Sequence, residues 1–164
     1  MIFHRDSSDE MAKLRFPYRH GRIIGAYLRT EASGKQLHPA VILTPDAEIT
    51  QPEDFDPRRG GENFVVVIGV STKYAVYADP YIKLPYHESG HPVTKLTKDS
   101  AAIIGWYDIV HIDGERRFWG GDVPIGIMTE INHQSRIDIA RRIGKEFKVM
   151  SEIVLLLFGD DLGG

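Results

Sequence analysis

The sequence predicts a mainly β domain: a small, strongly bent antiparallel sheet followed by one C-terminal helix. Three observations carry this. Short apolar, β-branched runs bounded by Gly, Pro, Asp and Ser recur from residue 22 to residue 128. No alternation of strands with helices, which a parallel doubly wound sheet would need, interrupts them. Only beyond Met128 does the apolar spacing change to three and four.

Taken in order, the polar, aperiodic residues 1–16 are expected to form a flexible arm, leaving 17–164 as a single domain. Arg22 to Leu28 reads as a strand, residues 30–36 as a loop, and Ala40 to Leu43 as a second strand closed by Pro45 and Asp46. The stretch to Gly61, with Pro52, Pro57, Gly60 and Gly61, reads as a long surface loop. Phe64 to Val70 is a continuous β-branched run too short for a stable helix, so it is expected to be a strand buried on both faces. Tyr81 to Leu84 is a shorter strand ended by Pro85. Ala101 to Ile112, then Arg117 to Trp119 with Gly120 and Gly121, and finally Ile125 to Met128 supply the last strands. A helix from about Asn132 to Phe158 follows, with Ile137, Ala140 and Ile143 on its apolar face, Asn132 or Ser135 at its start and Gly159 as its stop.

Composition removes several kinds of chemistry. The 164 residues include no cysteine, which excludes disulfides, iron-sulfur clusters, Cys-based zinc sites and a thiol nucleophile. The net charge of -3 argues against a protein that coats nucleic acid through a uniformly cationic surface, while leaving room for a local basic patch. No apolar run approaches the ~20 residues that span a bilayer. The expectation is a cytoplasmic protein with no membrane partner.

Motifs are sparse. His87-Glu88-Ser89-Gly90-His91 has the HExxH spacing, but zinc hydrolysis needs both histidines on one face of a stable helix. Pro85, Gly90 and Pro92 disfavour that helix, so a non-helical loop without a catalytic metal is expected. Neither a dinucleotide nor a phosphate-loop glycine pattern occurs, and no cofactor is implied. His20, His38, His111 and His133 are the candidate acids and bases, and Trp106 and Trp119 could stack nucleobases.

The order of blocks resembles the MazF, PemK and Kid family of growth-inhibitor toxins, small SH3-like barrels. Gly21-Arg-Ile-Ile-Gly-Ala-Tyr-Leu28 is similar to the family's first strand, and Leu37-His-Pro-Ala-Val-Ile-Leu-Thr-Pro-Asp46 to its second. Val65 to Thr72, Tyr81 to Pro85, the Leu96-Thr-Lys-Asp-Ser-Ala-Ala-Ile-Ile104 run, Val110 to Asp113 and Ile125 to Glu130 continue the resemblance over about residues 17–158. It implies a homodimer, an antitoxin protein partner and metal-independent endoribonuclease action on single-stranded RNA, in which the ribose 2′-hydroxyl attacks the adjacent phosphate. The family's Arg before Pro in strand two falls on His38, and its Thr at the end of strand three on Ser71, with Thr72 beside it. Its Arg and Asp on the strand after the Lys-Asp-Ser run fall on Gly105 and Tyr107. Lys35, Arg58 and Arg59 are then the cations offered to the substrate phosphates. The alternative is a barrel of the same fold that has lost the chemistry and binds a partner protein or nucleic acid.

Overall fold

The β-branched run at residues 64–71 forms the middle of the sheet, with both of its faces covered. In the computed structural model, which describes residues 17–30, 34–112 and 118–143, six strands make one antiparallel sheet: β1 (Arg22–Thr30), β2 (Gly34–Ile42), β3 (Phe64–Ser71), β4 (Tyr81–Leu84), β5 (Ser100–His111) and β6 (Phe118–Asp122), in the order β4-β5-β3-β2-β1-β6. Among the described residues one α-helix, α1 (Ile125–Arg142), follows. The expected N-terminal arm, the Gly159 stop and the far end of the expected helix lie outside the described residues.

Alternation along β3 splits the core. Val66, Ile68 and Val70 point to the side that α1 covers, joining Ile23, Val41, Leu84, Ile104, Met128, Ile131 and Ile139. Val65 and Val67 point the other way, to Tyr18, Ile24, Ala26, Leu28, Ala40, Ile42 and Ile112. A sheet bent tightly enough to bury both sides of its middle strand explains why this segment reads as an unbroken apolar run.

The sheet is bent round until its far edge meets the loop after β4. There Gly121 donates to the Thr94 carbonyl at 2.8 Å and Asp122 to the Val93 carbonyl at 3.0 Å. A Cβ on Gly120 or Gly121 would collide with those carbonyls, so the glycine pair serves close backbone approach. The segment 46–61 is the expected surface loop, built of three short 3-10 turns. It is tied down by Gln51, which accepts from the Tyr18 backbone N–H at 2.9 Å and donates to the Tyr18 carbonyl at 2.7 Å.

Two expectations are corrected. Ile125–Met128 is the first turn of α1 and not a strand. Pro124 supplies the extended residue before it and the carbonyl that accepts from Met128 N–H at 2.9 Å, and a four-residue apolar run cannot by itself be assigned between strand and helix. The helix therefore begins at Ile125 and not near Asn132, and neither Asn132 nor Ser135 caps it. Its buried face is Met128, Ile131, Ser135 and Ile139, whereas Ala140 and Ile143 are exposed. A buried serine in the stripe shifted the apparent phase.

β6 is locked by charge to the segment that leads into β1. Asp122 accepts from Arg19 at 2.6 Å and from Arg22 at 3.2 Å, and Arg22 also donates to the Pro17 carbonyl at 2.8 Å. Burial alone would raise the Asp122 carboxyl, but the hydrogen bonds from Arg19 and Arg22 outweigh it and hold the group below the usual carboxylate range. Its stabilisation is present above the unfolded value of ~3.9 and is lost as pH falls through the lower folded value. Asp122→Ala removes the carboxylate from Arg22, which is 4% exposed, and is expected to lower stability by about 3 kcal/mol, the low end for a broken buried pair because Arg22 keeps the Pro17 carbonyl and Arg19 stands partly in water. A urea titration reads this as a lower midpoint. At Gly69 a Cβ would meet the Trp106 ring. Gly69→Ala is expected to cost about 1 to 3 kcal/mol by overpacking, measured in the same titration.

Candidate nucleic-acid groove

A kink in β5 creates the site. β5 pairs with β3 from His111 down to Tyr107, opposite Ile68, and then resumes at Ala102, opposite Val70. Residues 103–106 therefore buckle away from β3 at Gly69, and Ile104 N–H donates instead to the Pro80 carbonyl at 2.9 Å. Gly105 takes φ of 105°, a conformation that side-chain-bearing residues rarely adopt. The buckle lays the Trp106 ring against the bare backbone of Gly69. Its indole N–H donates to the Arg29 carbonyl at 2.9 Å, which fixes the ring plane.

Around this indole lies a groove of about 1050 Å³. His38 meets Trp106 edge to face, with ring centroids 4.9 Å apart and planes at 76°. Tyr77 lies nearly parallel to it at 6.0 Å and 25°. The β2–β3 pairing ends at Ala40 and Gly69, and His38 and Ser71 lie just beyond that end on the two neighbouring strands. His38, Ser71 and Thr72 all line the groove.

The electrostatics of each group follow from its surroundings. Burial lowers the His38 pKa from 6.5, and a hydrogen bond to the Val70 backbone only partly offsets this. The imidazole is therefore neutral at pH 7. Ser71, 6% exposed, accepts from the Lys73 N–H at 3.0 Å, so its own O–H is directed elsewhere. The loop carrying Thr72, Val76 and Tyr77 is tethered through Tyr74, whose hydroxyl donates to Asp99 at 2.7 Å. Lys83 sits 2.7 Å from the same carboxylate, and Lys83 first, then Tyr74, hold Asp99 below its usual range.

Formal charge concentrates here. Among the described residues Arg29, Lys73, Lys98 and Arg142 line the groove against one acid, Asp79, in a chain whose net charge is -3. This local excess of cations over a flat aromatic surface suits a polyanion carrying planar rings.

Lys35, Arg58 and Arg59 are not among the lining residues. Lys35 is exposed on β2, opposite Arg29, and Arg58 and Arg59 project from a 3-10 turn beside Asp56, at 3.1 and 4.0 Å. Tyr107 points under α1, where its hydroxyl donates to Asp138 at 2.8 Å. His20 is engaged by the Leu43 carbonyl at 3.0 Å and by Asn132 at 2.9 Å, and His111 lies 3.5 Å from Glu62. The segment 87–91 is non-helical, as expected, and the Nδ1 atoms of His87 and His91 accept from the backbone N–H of Ser89 and Val93, each at 3.1 Å. Among the described residues no group of three or more His, Asp or Glu side chains is arranged to hold a metal ion, and no helix is long and apolar enough to cross a membrane.

Sequence reasoning overlooked Arg142 and Tyr77 as lining residues. The available signal was a glycine inside each of two strands, Gly69 and Gly105, which marks a place where something approaches the backbone closely.

No protein-family model and no curated protein matches the chain. Solved structures do. MazF from Deinococcus radiodurans (Form-I) superposes with a TM-score of 0.51 at 14% identity, covering 76% of this chain and 98% of that one. The MazE-MazF structure of the same organism (Form-III) gives 0.47 at 13% identity, with 76% and 98% covered. The identity is low and 98% of the MazF chain is matched; the six antiparallel strands and the helix that follows them thus have a MazF-like fold.

Proposed function

We propose that this protein is a metal-independent endoribonuclease of the growth-inhibitor toxin type, acting on single-stranded RNA in the Trp106 groove. The observation that carries the reading is the meeting, in one groove, of an imidazole whose neutral form burial favours, a serine hydroxyl, a cation excess and a ring platform. In this reading a base of the single strand stacks on Trp106 and the groove cations hold the backbone. The free ring nitrogen of His38 takes the proton of the ribose 2′-hydroxyl. The 2′-oxygen then bonds to phosphorus as the P–O5′ bond breaks, giving a cyclic phosphate and a 5′-hydroxyl whose proton returns from the imidazolium. Ser71 donates its hydroxyl proton to a phosphoryl oxygen, with Thr72 beside it. Lys35, Arg58 and Arg59 contribute only to longer-range attraction, since the groove carries its own cations.

The reading also includes a cytoplasmic setting, assembly as a homodimer and an antitoxin protein that covers the groove. Val76, 80% exposed on the groove rim, is apolar surface of the kind such a partner buries. The competing reading, a barrel that binds RNA or a partner protein without cutting, has its own support: at the position corresponding to the family's second-strand Arg stands His38, which lacks the permanent charge and bidentate fork.

Incubating the purified protein with mixed-sequence single-stranded RNA tests the enzymatic form. Cleavage is expected to survive EDTA, and His38→Ala is expected to slow it ~10²- to 10⁴-fold, the usual worth of a general acid or base. Because burial depresses the imidazole, the acid limb of the pH–rate profile is expected below 6.5, with activity falling as the ring becomes protonated. RNA that is bound but left intact would favour the binding-only barrel. Sedimentation equilibrium at micromolar concentration is expected to give twice the chain mass, and the chain mass itself would count against the homodimer.

A further inference from the structure

We propose that Arg142, carried by the last turn of α1 across the kink at Gly105, is a phosphate-binding residue of the groove. The inference rests on the reading of the groove as a site for single-stranded RNA. Its starting point is a volume. A Cβ on Gly105 would collide with Nη2 of Arg142, so the guanidinium occupies the space that a side chain on β5 would fill. The strand is bare where the helix reaches in, and φ of 105° at Gly105 keeps it so.

The guanidinium is held before any ligand arrives. Its Nε lies 3.1 Å from Asp138, one helical turn back, Nη1 points to the Gly105 carbonyl at 3.5 Å, and Cζ stands 6.0 Å over the Tyr107 ring. These contacts take Nε, Nη1 and one face, and Nη2 is the nitrogen that fills the Gly105 space. Tyr107, kept protonated by burial first and then by Asp138, donates to the same carboxylate and shares its charge. A planar fork so fixed offers phosphate a directed N–H at low ordering cost. A carboxylate oxygen of Asp79 lies 3.6 Å from the same point. Arg141, next along the chain, is exposed and outside the lining.

The test measures binding without cleavage. A mixed-sequence oligonucleotide with 2′-O-methyl riboses, which lacks the attacking hydroxyl, is titrated into the full chain at several salt concentrations. For Arg142→Gln the affinity is expected to fall about tenfold, and the slope of log K against log salt is expected to shrink by ~0.7, one phosphate contact on a single strand. Arg141→Gln removes the same charge and is expected to leave both values as in the wild type. Equal effects from the two variants would overturn the proposal while leaving the groove as an RNA site. A wild type that binds no oligonucleotide would overturn the groove reading and this inference with it. If Arg142→Gln fails to fold by circular dichroism, Arg142→Lys, which keeps a charge beside Asp138, carries the test: weaker binding at a retained slope supports the proposal, and unchanged affinity overturns it.

Discussion

The contact between the Trp106 indole and the backbone of Gly69 is the constraint on which the rest of the site depends. An indole can lie flat on a strand only where that strand has no side chain, and a strand can present its indole this way only if it steps out of register. The jump in β3–β5 pairing from Tyr107↔Ile68 to Ala102↔Val70 is that step. From it follow the positive φ at Gly105, the space filled by Arg142, and the wall against which His38 and Tyr77 are arranged. The groove is thus a consequence of two glycines in neighbouring strands rather than of the polar side chains that line it.

Much of the fold was legible because a tightly bent antiparallel sheet leaves a strong periodic imprint. The unbroken run at 64–71 announced a strand with two buried faces, and the Pro and Gly residues around 87–91 ruled out a helix there. The start of α1 was not legible. Pro124 fits an extended segment and a helix N-terminus equally well, and Ser135, polar but 2% exposed, reads as a cap when counted by chemistry alone. Register shifts are invisible in composition, so the Gly69 and Trp106 meeting could not be read forward from the chain.

The lining of the groove was legible in part for a related reason. His38 and Ser71 flank apolar runs whose ends must come together across adjacent strands, so their placement in one groove follows from register. Cations carried by loops and helix ends obey no such rule. Lys35 and Arg142 are equally plausible on paper, and only the tertiary arrangement separates the one on the open sheet from the one delivered over Gly105.

The Arg22↔Asp122 pairing, with the Val93 and Thr94 carbonyls on the other side of β6, has a consequence for the order of assembly. It joins segments some hundred residues apart, and closing so long a loop costs entropy that is regained only when the last strand docks. The aromatic wall of the groove draws on residues 29–39, 70–79 and 96–106, all of which leave the ribosome before β6 and α1. Arg142 leaves last. During synthesis the chain therefore holds the ring platform and the imidazole before it holds the helix-borne cation, so a nascent or truncated chain would be incomplete at the groove for as long as its C-terminal segment remains undocked.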